Sequence, residues 1–133
     1  MFPEGGKAVK SILFVDDHQV LARLSCEILE MQGYRAVGAH SGEEALQKLR
    51  GEQFDVLVTD MRLGAMNGLE LVRKAHQHIP EIPVILITGY EPVDYGNDAV
   101  ACLQKEDLFP ALLDQIKVLL GKGGEEPEVA KTA

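Results

Sequence analysis

A parallel α/β domain is the fold class that the sequence predicts, and three observations predict it. Short apolar runs alternate with stretches of helical periodicity along the whole chain, the pattern of a parallel sheet whose strands are joined by crossover helices. Residues 11–15, 56–59, 84–87 and 100–104 form runs that stay largely apolar until each stops on a polar residue, as strands covered on both faces do. A chain of 133 residues suits one domain and can bury roughly two-thirds of the surface that its unfolded form exposes.

The first run ends on Asp16 and Asp17. Beyond it Leu21, Leu24, Ile28 and Leu29 recur at three- and four-residue steps, which predicts a helix over 18–32 with that apolar stripe inward and Gly33 as its stop. Residues 35–39 read as a weaker strand at a sheet edge. Ser41 followed by Glu44 forms a capping box that opens a helix to about Arg50, with Ala45, Leu46 and Leu49 inward and Gly51 as the stop. The run 56–59 ends on Asp60, and Asn67 with Glu70 makes a second capping pair for a helix ending near His78, before Pro80 and Pro83. The run 84–87 ends on Thr88 and the run 100–104 on Lys105. The segment 89–99 between them contains Pro92, Gly96 and Asn97 and sustains no helical period, so the helix expected there is shortened or absent. The last helix is predicted from near Leu108, with Pro110 in its first turn and Leu112, Leu113, Ile116, Leu119 and Leu120 inward. The domain is thus expected over residues 10–121, flanked by a flexible segment 1–9 and a flexible tail 122–133, whose low apolar content does not offset ordering entropy.

Charge and composition narrow the function. With 13 basic residues against 21 acidic ones the formal net charge is −8, which argues against nucleic acid and anionic membrane as partners, since both need a basic footprint. No apolar run approaches the ~20 residues of a membrane helix. The two cysteines, Cys26 and Cys102, fall in a helix pattern and a strand pattern and read as reduced core residues, which points to a cytoplasmic setting. His18, His40, His76 and His78 are too scattered for a histidine metal site and read as solvated surface residues.

An open parallel sheet binds its ligands beyond the carboxyl ends of its strands. Asp16, Asp17, Asp60, Thr88 and Lys105 all stand at such ends, so three acids, a hydroxyl and an ammonium are expected to share one rim. Carboxylates in that number suit a hard, oxygen-seeking cation such as magnesium. Each element alone has a blander reading as a turn, helix cap, strand end or surface charge; their conjunction in one order does not.

In that order and spacing, from about Lys10 to Gly121, the acidic pair, Asp60 in Thr59-Asp60-Met61, Asn67-Gly68, Thr88-Gly89 and Lys105 resemble the receiver domain of two-component response regulators. The resemblance implies a flavodoxin-like, doubly wound five-stranded parallel sheet in the order 2-1-3-4-5. It implies that Asp60 is the phosphoacceptor, charged by a sensor histidine kinase or a phosphotransfer protein. By the same resemblance Mg2+ or Mn2+ is held by Asp17 and Asp60 directly, by Asp16 largely through water, and by the backbone carbonyl of Arg62. Lys105 and Thr88 would hold phosphoryl oxygens, and Thr88, moving toward the phosphoryl group, would switch a surface read by a downstream protein. Arg62 and Tyr90 lie two residues beyond Asp60 and Thr88, where side chains can overhang the acyl phosphate and set its lifetime.

The chain departs from the family pattern at four places. Glu106 stands where the family usually has proline, and Cys102 where it usually has the aromatic whose rotation reports activation; Tyr90 or Tyr95 are candidates to stand in for it. Gly64 replaces a usual proline, which is expected to loosen its loop. The short segment between Thr88 and Lys105 leads us to expect partner binding unlike the family's common mode. Three function classes follow: a phosphoacceptor receiver, free-standing or similar to the terminal receivers of hybrid histidine kinases; a receiver-like interaction module that works without phosphorylation; and an enzyme or cofactor binder on the same topology. For the third, the first strand lacks the Ser/Thr/Gly-rich loop of a flavin protein, and Asp60 is followed by Met61 and Arg62 without the second acid of an aspartate-nucleophile phosphatase. The expected role is therefore a signalling phosphoacceptor and not an enzyme.

Overall fold

The computed structural model describes residues 9–88, 101–104 and 108–120. Five strands, β1 (Ser11–Val15), β2 (Arg35–Ala39), β3 (Val56–Asp60), β4 (Val84–Thr88) and β5 (Ala101–Gln104), form one sheet in the order β2-β1-β3-β4-β5. Every pairing is parallel. Among the described residues four helices, α1 (Gln19–Met31), α2 (Gly42–Gly51), α3 (Gly68–His78) and α4 (Leu108–Leu120), join or follow the strands. The chain reverses its direction of winding between β1 and β3, which makes that crevice the topological switch point of the sheet. The segment 89–99, in which a shortened or absent helix is expected, lies outside the described residues, as do residues 1–8 and 121–133 at the two ends expected to be flexible.

Alternation along the strands divides the core in two. Leu13, Val15, Leu57, Val84 and Leu86 point toward α2 and α3, where Ala45, Leu49, Leu71, Val72 and Ala75 close over them. Ile12, Phe14, Val56, Val58, Ile85 and Ile87 point the other way, against Ala22 and Leu29 of α1 and Leu112 and Ile116 of α4. The three central strands β1, β3 and β4 are buried along their whole length, which is why their sequences run almost without polar interruption. At the expected edge, β2 is exposed at Arg35 and only partly covered as far as Gly38.

Local chemistry sets most of the helix ends. Ser41 Oγ accepts from Glu44 N–H at 3.0 Å, and the Glu44 carboxylate accepts from His40 N–H at 2.9 Å, one residue before the cap. Asn67 Oδ1 accepts from Glu70 N–H at 2.8 Å. α1 ends on a glycine-terminated cap: Gly33, at φ 98°, donates to Glu30 O, and Tyr34 donates to Leu29 O. These two bonds satisfy carbonyls that the helix leaves open, and the left-handed residue suits glycine. In α4, Phe109 has extended torsions (φ −104°, ψ 134°). The ring of Pro110 disfavours helical torsions in the residue before it, so the regular helix starts at the proline.

The inward face of α1 differs from the expected stripe. Ala22, Ser25 and Leu29 are the buried residues, whereas Leu24 is 47% exposed and Leu21 and Ile28 are half-buried. His76 also differs from the solvated residue expected. It is half-buried, and its Nε2 lies 2.9 Å from the Ile82 carbonyl oxygen, to which it donates, tying α3 to the segment that leads into β4. Cys26 is a free, half-buried thiol whose pKa is raised to about 11, first by burial and then by Glu30 and Glu27, so it is protonated and unreactive at neutral pH.

Gly51 is the last residue of α2, and nothing lies within 4 Å of where a Cβ would stand. Gly51→Ala is therefore expected to stabilise the domain by about 0.5–1 kcal/mol, because alanine loses less backbone entropy on folding. The measurement is the urea midpoint at unchanged m-value. A lower midpoint would contradict the helical assignment at that residue.

Candidate functional site

Parallel pairing brings the carboxyl ends of β1, β3 and β4 to one edge of the sheet. Asp60 is the last residue of β3 and stands opposite Ile87, one residue before Thr88 at the end of β4. Asp16 follows β1 directly, and its N–H donates to Ala39 O at 3.0 Å. That bond continues the β1–β2 ladder by one step and fixes where the acidic pair leaves the sheet. Asp16 is 2% exposed, Asp60 2% and Thr88 3%, while Asp17 is exposed.

The two buried acids are held alike. Asp16 Oδ1 accepts from the N–H of His18 at 2.9 Å, and Asp60 Oδ1 accepts from the N–H of Arg62 at 3.3 Å. In both, a carboxylate bonds the backbone two residues on, a local turn that fixes the side chain. His18 in turn caps α1, its Nδ1 accepting from Leu21 N–H at 3.3 Å. The acidic pair thus sits on a short rigid bridge between strand and helix.

One oxygen each from Asp16, Asp17 and Asp60 lie within 4.8 Å of one another. Around an octahedral magnesium, with oxygens at about 2.0–2.1 Å, ligand oxygens are separated by about 3–4 Å. Three carboxylates at that spacing repel one another without a counter-charge. The donor set is all oxygen, two of its members are buried, and the third faces solvent. Such an arrangement fits one hard divalent cation with part of its coordination shell left to water.

Gly68 has a role here that sequence reasoning missed. A Cβ on Gly68 would stand 2.3 Å from Asp60 O and 2.9 Å from Met61 Cα. The Gly68 N–H donates to Met61 O at 2.7 Å, and the Met61 N–H donates to Ile87 O at 2.8 Å. The first turn of α3 is therefore packed directly on the backbone that carries Asp60. The signal in the sequence is a glycine placed immediately after the Asn67 cap, where other residues make better helix formers. Gly64, in the same loop, has φ 86°, so glycine meets a turn requirement at that position.

Of the residues expected at the site, Asp16, Asp17 and Asp60 converge, and Thr88 ends the strand beside Asp60. Arg62 is exposed and touches the site through its backbone N–H. Lys105 and Tyr90 lie outside the described residues; Gln104, which precedes Lys105, is paired with Thr88 across β4 and β5. Among the described residues no helix is long and apolar enough to cross a membrane.

The comparisons with known proteins agree with this geometry. The response regulator receiver domain profile matches residues 12–108. The receiver protein CpdR of Brucella abortus is 32% identical over 93 residues, covering 70% of this chain and 78% of CpdR. The transcriptional regulatory protein ZraR of Klebsiella oxytoca is 35% identical over 89 residues, covering 67% of this chain, which spans only 20% of ZraR. Among solved structures, the response regulator TrrA of Thermotoga maritima in complex with Mg2+-BeF superposes with a TM-score of 0.76 at 30% identity, covering 84% of this chain and 99% of that one. The chemotaxis protein CheY4 of Vibrio cholerae superposes with a TM-score of 0.78 at 25% identity, covering 85% and 100%. With the sheet order, the acidic cluster at the switch point and a profile match over most of its length, the chain belongs to the response regulator receiver domain family.

Proposed function

We propose that this receiver domain accepts a phosphoryl group on Asp60, in a reaction that requires Mg2+ or Mn2+, and that the modification switches a surface read by another protein. The observation that carries this reading is the convergence of three carboxylate oxygens within 4.8 Å at the tips of β1 and β3. The donor is a phosphohistidine of a sensor kinase or phosphotransfer protein. A carboxylate oxygen of Asp60 bonds to phosphorus as the phosphorus–nitrogen bond breaks, and the departing imidazole takes up a proton. When bound, the cation offsets the charge of the three acids and of the incoming phosphoryl oxygens.

The chain's own residues supply the positioning. Asp17 and Asp60 are the direct ligands in this reading, with the Arg62 carbonyl, and Asp16 acts largely through water. The Arg62 N–H, which donates to Asp60 Oδ1 at 3.3 Å, holds the carboxylate in place for attack. Thr88 offers a hydroxyl donor at the end of the adjacent strand, and Lys105, next after β5, an ammonium for the transferred group. Arg62 and Tyr90 would screen the acyl phosphate from water, and alanine at both would shorten its lifetime. Thr88 moving toward the phosphoryl group would carry the switch.

Beryllofluoride, which mimics the acyl phosphate, tests this directly. With magnesium and beryllofluoride present, amide resonances of Asp16, Asp60, Met61 and Thr88 are expected to shift in slow exchange. An unchanged spectrum with both present would favour a module that works without phosphorylation.

A further inference from the structure

Helices α2 and α3 cover one face of the sheet, and the seam between them is an open trough of about 350 Å3 lined by Leu46, Arg50, Met66, Lys74, Gln77 and His78. That lining holds two cations and a histidine and no carboxylate, in a chain whose formal charge is −8. Neither Arg50 nor Lys74 is paired with an acid among the described residues. A second hollow of about 510 Å3 shares Arg50 and His78 with the first. Two acids on its rim, Glu52 and Asp55, are already engaged: Glu52 pairs with Arg35, and Asp55 Oδ2 accepts from Ser11 N–H at 2.7 Å. The cations of the seam therefore form no ion pair among the described residues.

Helix dipoles account for only part of this. Arg50 and His78 stand in the last turns of α2 and α3, where positive charge complements the carbonyl end of a helix. Lys74 sits a turn earlier and gains little from that field. Leu46 is half-buried and Met66 is 8% exposed, so an apolar floor runs between a cationic wall on α2 and another on α3. We propose that this trough is a docking site for an acidic peptide segment of a partner protein, with an apolar side chain over Leu46 and Met66 and carboxylates at Arg50 and Lys74. Nucleic acid fits less well, because two cations are too few for a phosphate backbone, whose many charges a surface of net charge −8 repels more strongly than the few of a short segment.

The seam lies apart from the acidic notch, so its test needs no phosphodonor, and its failure is distinct from failure of the Asp60 assignment. The probe is fluorescein-labelled acetyl-Glu-Glu-Leu-Glu-Glu-amide, followed by polarisation and by amide shifts of the protein. Saturable binding is expected, with shifts at Leu46, Arg50, Lys74 and His78. Arg50→Glu with Lys74→Glu is expected to weaken it at least tenfold, and the equal charge change Arg23→Glu with Lys117→Glu less than twofold. The proposal is overturned by equal loss in both variants, by shifts confined to other surfaces, by no saturation at millimolar peptide, or by tighter binding of an oligouridylate.

Discussion

Asp60→Asn is expected to reduce uptake of label from a small phosphodonor by ~10^3-fold or more, since the amide removes the nucleophile. Geometry should survive the change. Asn keeps the size of Asp and an Oδ1 acceptor for the Arg62 N–H, which donates to that atom at 3.3 Å. The informative second readout is stability without metal. Carboxylate oxygens of Asp16, Asp17 and Asp60 lie within 4.8 Å of one another, and at an effective dielectric of about 20 a pair at that distance repels by ~3.5 kcal/mol before solvent screening. Neutralising Asp60 in EDTA should therefore stabilise the domain, by about 1–2 kcal/mol once the exposure of Asp17 is taken into account.

Magnesium reverses the order. At a concentration ten times its dissociation constant it adds about 1.4 kcal/mol to the native protein and less to the variant, which has lost a charged ligand. Urea titrations of both proteins in EDTA and in magnesium read all four stabilities. Undiminished labelling of the variant, or a variant less stable than the parent in EDTA, would contradict the cluster as the reacting site.

The strands and the acids were legible in the sequence for the same reason. A strand buried on both faces admits few polar residues, so the point at which polarity returns marks both the strand's end and the rim where ligands bind. Caps were legible at Ser41, Asn67 and Gly33 because their chemistry is local. The phase of α1 was not. Hydrophobicity favoured Leu21 and Leu24, but the helix lies close to β2 at Gly38, where a Cβ would stand 3.6 Å from Cys26 Sγ and 3.9 Å from Ala22 Cβ. A close approach selects small residues on the inward face, so a periodicity weighted by hydrophobicity finds Leu29 but misses Ala22 and Ser25 and turns the stripe toward the exposed Leu24. His76 was misread for a related reason: its partner is the Ile82 carbonyl, and no pattern of residue types announces a bond to a backbone oxygen. What spacing along the chain did not carry was the close convergence of the acids, which depends on the register of β1 against β3.

Gly68→Ala is expected to be the most damaging single-methyl change at the site. The added carbon would lie 2.3 Å from Asp60 O, 2.9 Å from Met61 Cα and 3.1 Å from Asp60 C, and none of these is the end of a flexible side chain. Relief requires α3 to slide away from the sheet or the backbone at Asp60 and Met61 to move. The first breaks the 2.7 Å bond from Gly68 N–H to Met61 O, and the second strains the 2.8 Å bond from Met61 N–H to Ile87 O. A cost of about 3 kcal/mol is expected, or ~10–15 °C in Tm for a domain of this size, although alanine is intrinsically the better helix former. Because Asp60 shares the displaced backbone, label uptake should fall even at temperatures where the variant is fully folded, which separates a misplaced nucleophile from simple unfolding. Gly42→Ala provides the comparison, since the atoms it would meet belong to the Met66 side chain, the nearest being Sδ at 2.4 Å. A thioether chain can turn aside where a strand backbone cannot, so that variant should lose less stability and retain phosphoryl uptake. Equal losses in the two would mean that the contact between α3 and Asp60 is no tighter than an ordinary side-chain contact, and would remove Gly68 from the account of how Asp60 is held.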